Sequence, residues 1–448
     1  MTWTFERKLL GAALLGWAIV VVLNLIFGPP LGHDESAFAL VARGDADWLY
    51  RSRGVTTVAQ LGLWLGGGDR AMRLASALLG FSVVLSVYAL GRVTFGERTA
   101  AWAAIVICGS HSMVSRNTDL LGDLPATAGV LAGMAALASE LDREGGPRLR
   151  VALAAPAFAA AFYFRYGSAP VIAIAGLAAL VLWWRAVWSR WWNVLAAAAL
   201  LGVLLIPHFL HSIHITGTLL GVLRRSSEIP RRAYWGEGLV TYLTTNPFTY
   251  YGALITPVIL GGLVGLVRKF RSRRAWFVGS VALGQLFAIG IQSHAQPRYV
   301  YIAVALLVVL GTEAWRTMVA PRPRIALWLC GLAWFGIAAV VPFYQSSIGR
   351  ARGSILSAAT TIQADRAASK LDRCMVIANV IPQLMWYSHC DGTALHVWVE
   401  DALAPARDRY IVSMPYGFLQ GDAFAMHHGV MVHDLPTGDL RTRVWKVQ

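Results

Sequence analysis

Two carboxylates stand side by side, Asp34 and Glu35 in PPLGHDESAFALVARGDADW, just past the first apolar run of a 448-residue chain with only 24 Asp plus Glu. Adjacent acids at the mouth of an apolar bundle can take a proton, hold a cation or start a helix. Further polar groups fall at similar joints. Asn117, Asp119 and Asp123 lie in SRNTDLLGDLPA, Arg165-Tyr166 separates two apolar runs, and His294-Ala-Gln-Pro-Arg298-Tyr299 joins two more, while Arg51 and Arg53 follow the carboxylate pair. Ionisable groups at membrane depth are costly and face a cavity or one another. A carboxylate beside an arginine-bound phosphate suits group transfer. The carboxylate takes a proton from an acceptor hydroxyl as it attacks, and guanidinium groups stabilise the departing phosphate.

Each residue also has a plainer explanation. Asp34 can N-cap the helix that follows it, and Asp123 can cap the run opening Leu124-Pro125, since proline suits a first turn. Arg165 and Arg298 can snorkel to headgroups. His294 can be a hydrogen-bonded interface residue, and Arg224-Arg225 with Arg231-Arg232 a solvated face.

The elements that must position these residues follow from composition. A chain 56% hydrophobic and 14% charged, of mean hydropathy +0.54, is no set of soluble domains, which carry about 25% charged residues. Eleven apolar runs are long enough to span a bilayer: 9–27, 71–91, 99–115, 124–141, 150–164, 168–185, 192–211, 248–267, 275–292, 299–317 and 324–343. The first has a basic start, Arg7 and Lys8, but reaches Phe27-Gly28-Pro29-Pro30 without a small-x-small cleavage site, which predicts an uncleaved anchor rather than a signal peptide.

The net charge of +15 invites a nucleic-acid reading that its distribution opposes. Basic residues cluster in six short loops, around Arg7, Arg92, Arg148, Arg185, Arg271 and Arg322, the positive-inside signature of cytoplasmic loops. Alternating the spans from a cytoplasmic N-terminus puts all six on one side. The other side receives 28–70, 212–247, the turns near 116–123, 165–167 and 293–298, and the C-terminal tail, hence every candidate residue above.

The expected fold is a polytopic α-helical membrane protein with about eleven transmembrane helices in 1–343 and a small extracytoplasmic α/β domain in 344–448. In the external loop 28–70, Glu35–Ala46 and Val58–Trp64 have helical periodicity and read as interfacial helices, with Trp48, Tyr50 and Trp64 at headgroup depth. The tail shows strand-like runs, Cys374–Ile381, Leu395–Val399 and Arg409–Met414, beside a polar helix near 354–372. Cys108 and Cys330 lie in apolar runs as packing residues, whereas Cys374 and Cys390 can pair if the tail is exported.

No Gly-rich phosphate loop follows a strand, and neither a Ser nucleophile elbow nor a HExxH site is present. An activated substrate would then arrive in the bilayer on a polyprenyl chain. A transporter or flippase for an anionic lipid or solute is the second reading, but it calls for ionisable groups near mid-bilayer and broken helices in matching halves. Few charges lie inside the spans, and no internal repeat is seen. A lipid-linked ligase or phosphotransferase is a third.

The order of an anchor span, Asp34-Glu35 with SAFALVARGDADWL, DRAMRLASALLGFSVVLSVYALGRVTFGERTAAWAA and DLLGDLPATAGVLAGMAAL resembles the C-type (GT-C) glycosyltransferases of the protein O-mannosyltransferase and aminoarabinose-transferase group. The likeness is good over 1–185 and thinner through 343, where Gln296-Pro-Arg-Tyr299 resembles an RY-type segment. The tail has only a general likeness to the extracytoplasmic domains of such proteins. The resemblance implies that Asp34 is the catalytic acidic residue of the first external loop, Glu35 its companion, and Asp123 the second acidic motif, with Asp119 an alternative register. It further implies a polyprenyl-phosphate sugar donor, inversion at the anomeric carbon, a lipid, glycan or protein acceptor, and action at the outer face of the bacterial cytoplasmic (inner) membrane.

One departure stands out. Where relatives carry Lys-Pro-Pro-Leu before the second span, this chain has Thr57-Val-Ala-Gln-Leu61, so the lysine expected at the lipid phosphate is absent, and Arg51, Arg53 or Arg165 could replace it. The expectation is therefore Asp34 as base, Glu35 and Asp123 orienting substrates or sharing a divalent cation, and Arg165 and Arg298 on the phosphate, with Tyr166, His294 and Tyr299 nearby.

Overall fold

The structure, a computed structural model, describes residues 4–45, 51–66, 68–143, 147–227, 234–244, 255–268, 270–292, 294–318, 352–368, 374–378, 381–394, 408–413, 429–437 and 440–447. The expected span 324–343, Trp48, Tyr50, Arg231-Arg232, Cys330 and the Leu395–Val399 run lie outside the described residues. The chain divides into two units. One comprises Met1–Asn24, Leu49–Val55 and Leu74–Val340, and the other Leu25–Trp48, Thr56–Arg73 and Val341–Gln448. Most of the external loop 28–70, expected with the spans, thus groups with the C-terminal residues.

The first unit is helical. Among the described residues six helices are long and apolar enough to cross a bilayer: Phe5–Phe27, Gly68–Phe95, Asp123–Leu141, Trp191–Thr216, Arg273–Gln292 and Pro297–Thr317. Leu149–Phe164, Tyr166–Leu182 and Thr256–Arg268 are shorter apolar helices. The chain is an integral, polytopic helical membrane protein. The expected single span 99–115 is instead broken into Glu97–Ile107 and a short turn, His111–Val114. Gly109 and Ser110 intervene, and Ser110 takes an extended conformation as the N-cap of the turn.

Small residues set the helix spacing, as they do where lipid supplies no hydrophobic drive between helices. A Cβ on Gly311 would lie 1.9 Å from the Val258 carbonyl oxygen, and one on Gly262 would lie 2.8 Å from the Gly311 nitrogen. Thr256–Arg268 and Tyr301–Met318 therefore touch backbone to backbone. The Trp191–Thr216 helix instead leaves Leu200, Val203, Ile206 and Leu210 exposed, a surface suited to hydrocarbon.

The second unit combines the His33–Arg43 helix, most of Arg53–Trp64, the start of Gly68–Phe95, a helix over 352–368, the Ile381–Ser388 helix and a five-stranded sheet. Its strands are β1 (Cys374–Ala378), β2 (Asp391–Ala394), β3 (Asp408–Ser413), β4 (Gly429–Thr437) and β5 (Leu440–Val447), in the order β2-β1-β3-β5-β4. β1 pairs parallel with β2 and β3, while β5 runs antiparallel to β3 and β4. Alternation assigns the faces. Cys374, Val376, Ala378, Tyr410 and Val412 pack with Ile355, Ala359 and Ile362 of the 352–368 helix, and Met375, Ile377, Ile411 and Trp445 form the opposite face. β1 is buried on both faces, as expected of a strand with parallel neighbours. The helix and strands expected near 354–372, 374–381 and 409–414 are present. Cys374 and Cys390 are disulfide-bonded, closing a loop of sequence separation 16, whereas Cys108 is a buried free thiol.

Candidate active site

The carboxylate pair opens the His33–Arg43 helix, and its two members fare differently. Gly32 is the N-cap, so Asp34 and Glu35 occupy the second and third helical positions. Glu35, not Asp34, closes the helix start. Its Oε2 accepts the Gly32 N–H at 2.7 Å, satisfying a donor that helix geometry leaves orphaned. Glu35 is only 2% exposed and is gripped by two guanidinium groups. Arg73 donates from Nε and Nη2 at 3.0–3.1 Å, and Arg352 Nη1 donates at 3.1 Å. Asp34 stays partly open to solvent, in the first turn where the helix dipole favours a negative charge. The capping role open to Asp34 is thus filled by its neighbour.

The approach to that helix is pinned group by group. Arg73 donates to the carbonyls of Pro29 and Pro30, and Arg352 to that of Pro30 at 2.9 Å. The Leu31 N–H donates to Tyr387 Oη at 2.7 Å, Gln383 Nε2 donates to the Leu31 carbonyl at 3.2 Å, and Ser36 N–H donates to the Gly32 carbonyl at 2.9 Å. Every backbone donor and acceptor from Pro29 to Gly32 is paired, the full accounting that buried backbone requires.

The first unit assembles a second cluster. Asp123 opens the Asp123–Leu141 helix, 8% exposed, and forms an ion pair with Arg165. Gly122 makes the pairing possible: a Cβ there would lie 1.9 Å from the Phe164 carbonyl oxygen, so only glycine lets the chain before Asp123 abut the chain before Arg165. The Arg165 guanidinium also lies 4.6 Å over the Tyr299 ring, a cation–π placement. Around Tyr299 stand Arg298, whose Nε donates to Gln296 Oε1 at 2.8 Å, and His294, 2.6 Å from the Gln296 amide and 5.7 Å ring to ring from Tyr299. Tyr242 fixes this segment by donating to the Gln296 carbonyl and accepting its N–H, both at 3.1 Å.

Asp123, Arg165, His294, Arg298 and Tyr299 are therefore brought together. Asp119 pairs instead with Arg116 at 3.8 Å. Tyr166 is buried against Phe162 and His208 and donates to the Arg51 carbonyl at 3.4 Å. Arg53 is exposed at the start of its helix.

Among the described residues no group of three or more His, Cys, Asp or Glu is arranged to hold a metal ion. The donor set suits none at two of the expected positions either, since guanidinium groups engage both Glu35 and Asp123.

Sequence reasoning missed Arg73, Arg352, Gln383, Tyr387, Tyr242 and Gln296. Arg73, within DRAMRLASALLG, carried a usable signal as an arginine near the outer end of an apolar run. Gln296 acts locally, on His294 and Arg298 two residues to either side, whereas Arg352, Gln383, Tyr387 and Tyr242 gave no signal because each acts on a residue far away in sequence.

Residues 55–211 match the profile of the dolichyl-phosphate-mannose-protein mannosyltransferase family, a stretch that includes Asp123 and Arg165 and begins after Asp34. A comparison with curated protein sequences finds no match. Among solved structures, the chain resembles ArnT from Cupriavidus metallidurans in the apo state, with TM-score 0.73 and 12% identity over 98% of this chain and 97% of that one. The same ArnT bound to undecaprenyl phosphate gives 0.70 and 14%, over the same shares. The Archaeoglobus fulgidus oligosaccharyltransferase, in complex with Zn and sulfate, gives 0.60 and 13% over 96% of this chain and 72% of that one. At such identities the structural likeness speaks for the fold. Residues 55–211 thus match that family's profile, and the chain as a whole is an integral membrane protein with an ArnT-like fold.

Proposed function

We propose that the protein moves a sugar from a polyprenyl-phosphate donor to a hydroxyl acceptor, with inversion, at the extracytoplasmic face of a bacterial cytoplasmic membrane that it crosses about eleven times. Asp34 is the base. It removes the acceptor proton as the oxygen attacks the anomeric carbon, the bond from that carbon to the phosphate oxygen breaks, and polyprenyl phosphate departs. Arg165 and Arg298 hold the phosphate and offset the charge that develops on it. Asp123 orients Arg165, and Tyr299 supports the guanidinium from below its plane.

The observation that carries this reading is the divided fate of the carboxylate pair. Glu35 is consumed by two arginines and a backbone N–H, while Asp34 stays partly exposed at the start of the same helix. Cluster chemistry also supports it, because Arg165 supplies the planar cation that the missing lysine of the Thr57–Leu61 segment cannot. The ArnT structure with undecaprenyl phosphate supports the donor class, and the Cys374–Cys390 disulfide supports an oxidising compartment for the C-terminal residues.

The test is incubation of the purified protein with a panel of polyprenyl-phosphate sugars, with and without chelator, reading sugar release and the anomeric configuration of the product. The reading expects release of polyprenyl phosphate and an inverted linkage, with the chelator arm reading whether a divalent cation takes part. A retained configuration, or no turnover of any lipid-phosphate sugar, would overturn it.

A further inference from the structure

The Ile381–Ser388 helix lies in the same unit as the Asp34 helix, and three of its side chains reach the segment that presents Asp34. Tyr387 Oη accepts the Leu31 N–H at 2.7 Å and donates to Asp69 Oδ2 at 2.5 Å. Trp386 Nε1 donates to the other oxygen of Asp69 at 2.9 Å, and Gln383 donates to the Leu31 carbonyl. Arg43, in the last turn of the Asp34 helix, lies 4.4 Å over the Trp386 ring. Burial and the Asp69 carboxylate both raise the Tyr387 pKa, so its hydroxyl stays protonated and remains the donor to Asp69. The helix is itself fixed at three places. Gln363 of the 352–368 helix donates to the Tyr387 carbonyl at 2.8 Å, Leu384 is in the sheet core, and the disulfide ties Cys390, two residues past the helix end, to β1.

We infer that Tyr387 and Gln383 are positioning residues for Asp34, so that the Ile381–Ser388 helix sets the aim of the base. Leu31 lies three residues before Asp34, and its two backbone groups are those that Tyr387 and Gln383 hold. Proline at positions 29 and 30 removes two backbone N–H groups, so Tyr387 and Gln383 hold both backbone groups of Leu31 while Arg73, Arg352 and Glu35 hold those of its neighbours. A misplacement of about 1 Å at a reacting group costs up to ~100-fold in rate, which makes such an anchor catalytically visible without any contact to substrate. The inference rests on the reading of Asp34 as the base.

The experiment uses the full-length protein with an undecaprenyl-phosphate sugar donor that the wild type turns over. Tyr387→Phe and Gln383→Ala are compared with Asp34→Asn for kcat, for donor KM, and for amide hydrogen exchange in the peptide covering 29–40. Tyr387→Phe is expected to lower kcat about 10- to 100-fold, leave donor KM within about twofold, and speed exchange in 29–40 but not in 123–141. Gln383→Ala should show the same pattern, which guards against one variant failing to fold. Unchanged kcat, or a loss expressed wholly in KM, or unaltered exchange in 29–40, overturns the inference. If Asp34→Asn is inactive and Tyr387→Phe fully active, only the positioning role fails. If Asp34→Asn is fully active, the base assignment itself fails, whatever the exchange data show.

Discussion

Glu35 and Asp34 differ by one methylene and one position, and their environments give them opposite work. Glu35 balances two cations in a nearly closed space, where removing one partner of a buried pair costs about 3–5 kcal/mol because the other charges are left uncompensated. Glu35→Gln should therefore lower the thermal unfolding temperature of the detergent-solubilised protein markedly, and by more than Asp34→Asn does. Equal melting behaviour in the two variants would mean that the arginines do not depend on Glu35. The sequence made the pair conspicuous but could not say which acid was structural. The deciding partners, Arg73 and Arg352, are 38 and 317 residues away, beyond any local pattern. Asp123, Arg165, Arg298 and Tyr299 were legible individually, as polar residues stranded at span ends, and the structure brings them together.

At the scale of elements, the spans were readable because hydropathy is a local property, integrated over the same length that crosses a bilayer. Where the reading slipped, at 99–115, a Gly-Ser step inside an otherwise apolar run broke the helix. Close approaches were invisible for the opposite reason, since nothing near Gly122 in sequence announces the Phe164 carbonyl. Gly122→Ala should force the two chain segments apart and separate Asp123 from Arg165. The expected result is loss of most transfer activity with membrane insertion retained, and wild-type activity in the alanine variant would count against the cluster.

The other element-scale contact is sensitive to pH. Arg43 Nη1 donates to His389 Nδ1 at 3.0 Å, which requires a neutral imidazole, since an arginine can only donate. Burial first, and then the Arg43 charge, lower the His389 pKa from its ordinary 6.5. For a histidine whose folded pKa is depressed, the stabilising contribution is fully present above the unfolded value and is lost as pH falls through the folded one. Between pH 7.5 and 5 the wild-type unfolding temperature should fall more than that of His389→Gln. Parallel curves would show that this contact does not report on pH.

For the whole molecule, composition and the loop charges sufficed for the membrane class, and a likeness in the first 185 residues pointed to the family whose profile residues 55–211 match. Nothing in the pattern of hydropathy announces that the chain interleaves its units, with 25–48 and 56–73 grouped with 341–448. Hydropathy divides a chain at span ends, whereas packing follows contacts such as those of Tyr387 and Arg352, made between residues more than 300 apart. The central claim is that Asp34 is the base of a sugar transfer, and single-turnover kinetics of Asp34→Asn with a competent polyprenyl-phosphate sugar test it most directly. The account predicts a fall in the transfer rate of about 10²–10⁴-fold, the range for loss of a positioned general base, with donor affinity unchanged. A transfer rate equal to wild type in that variant would contradict it.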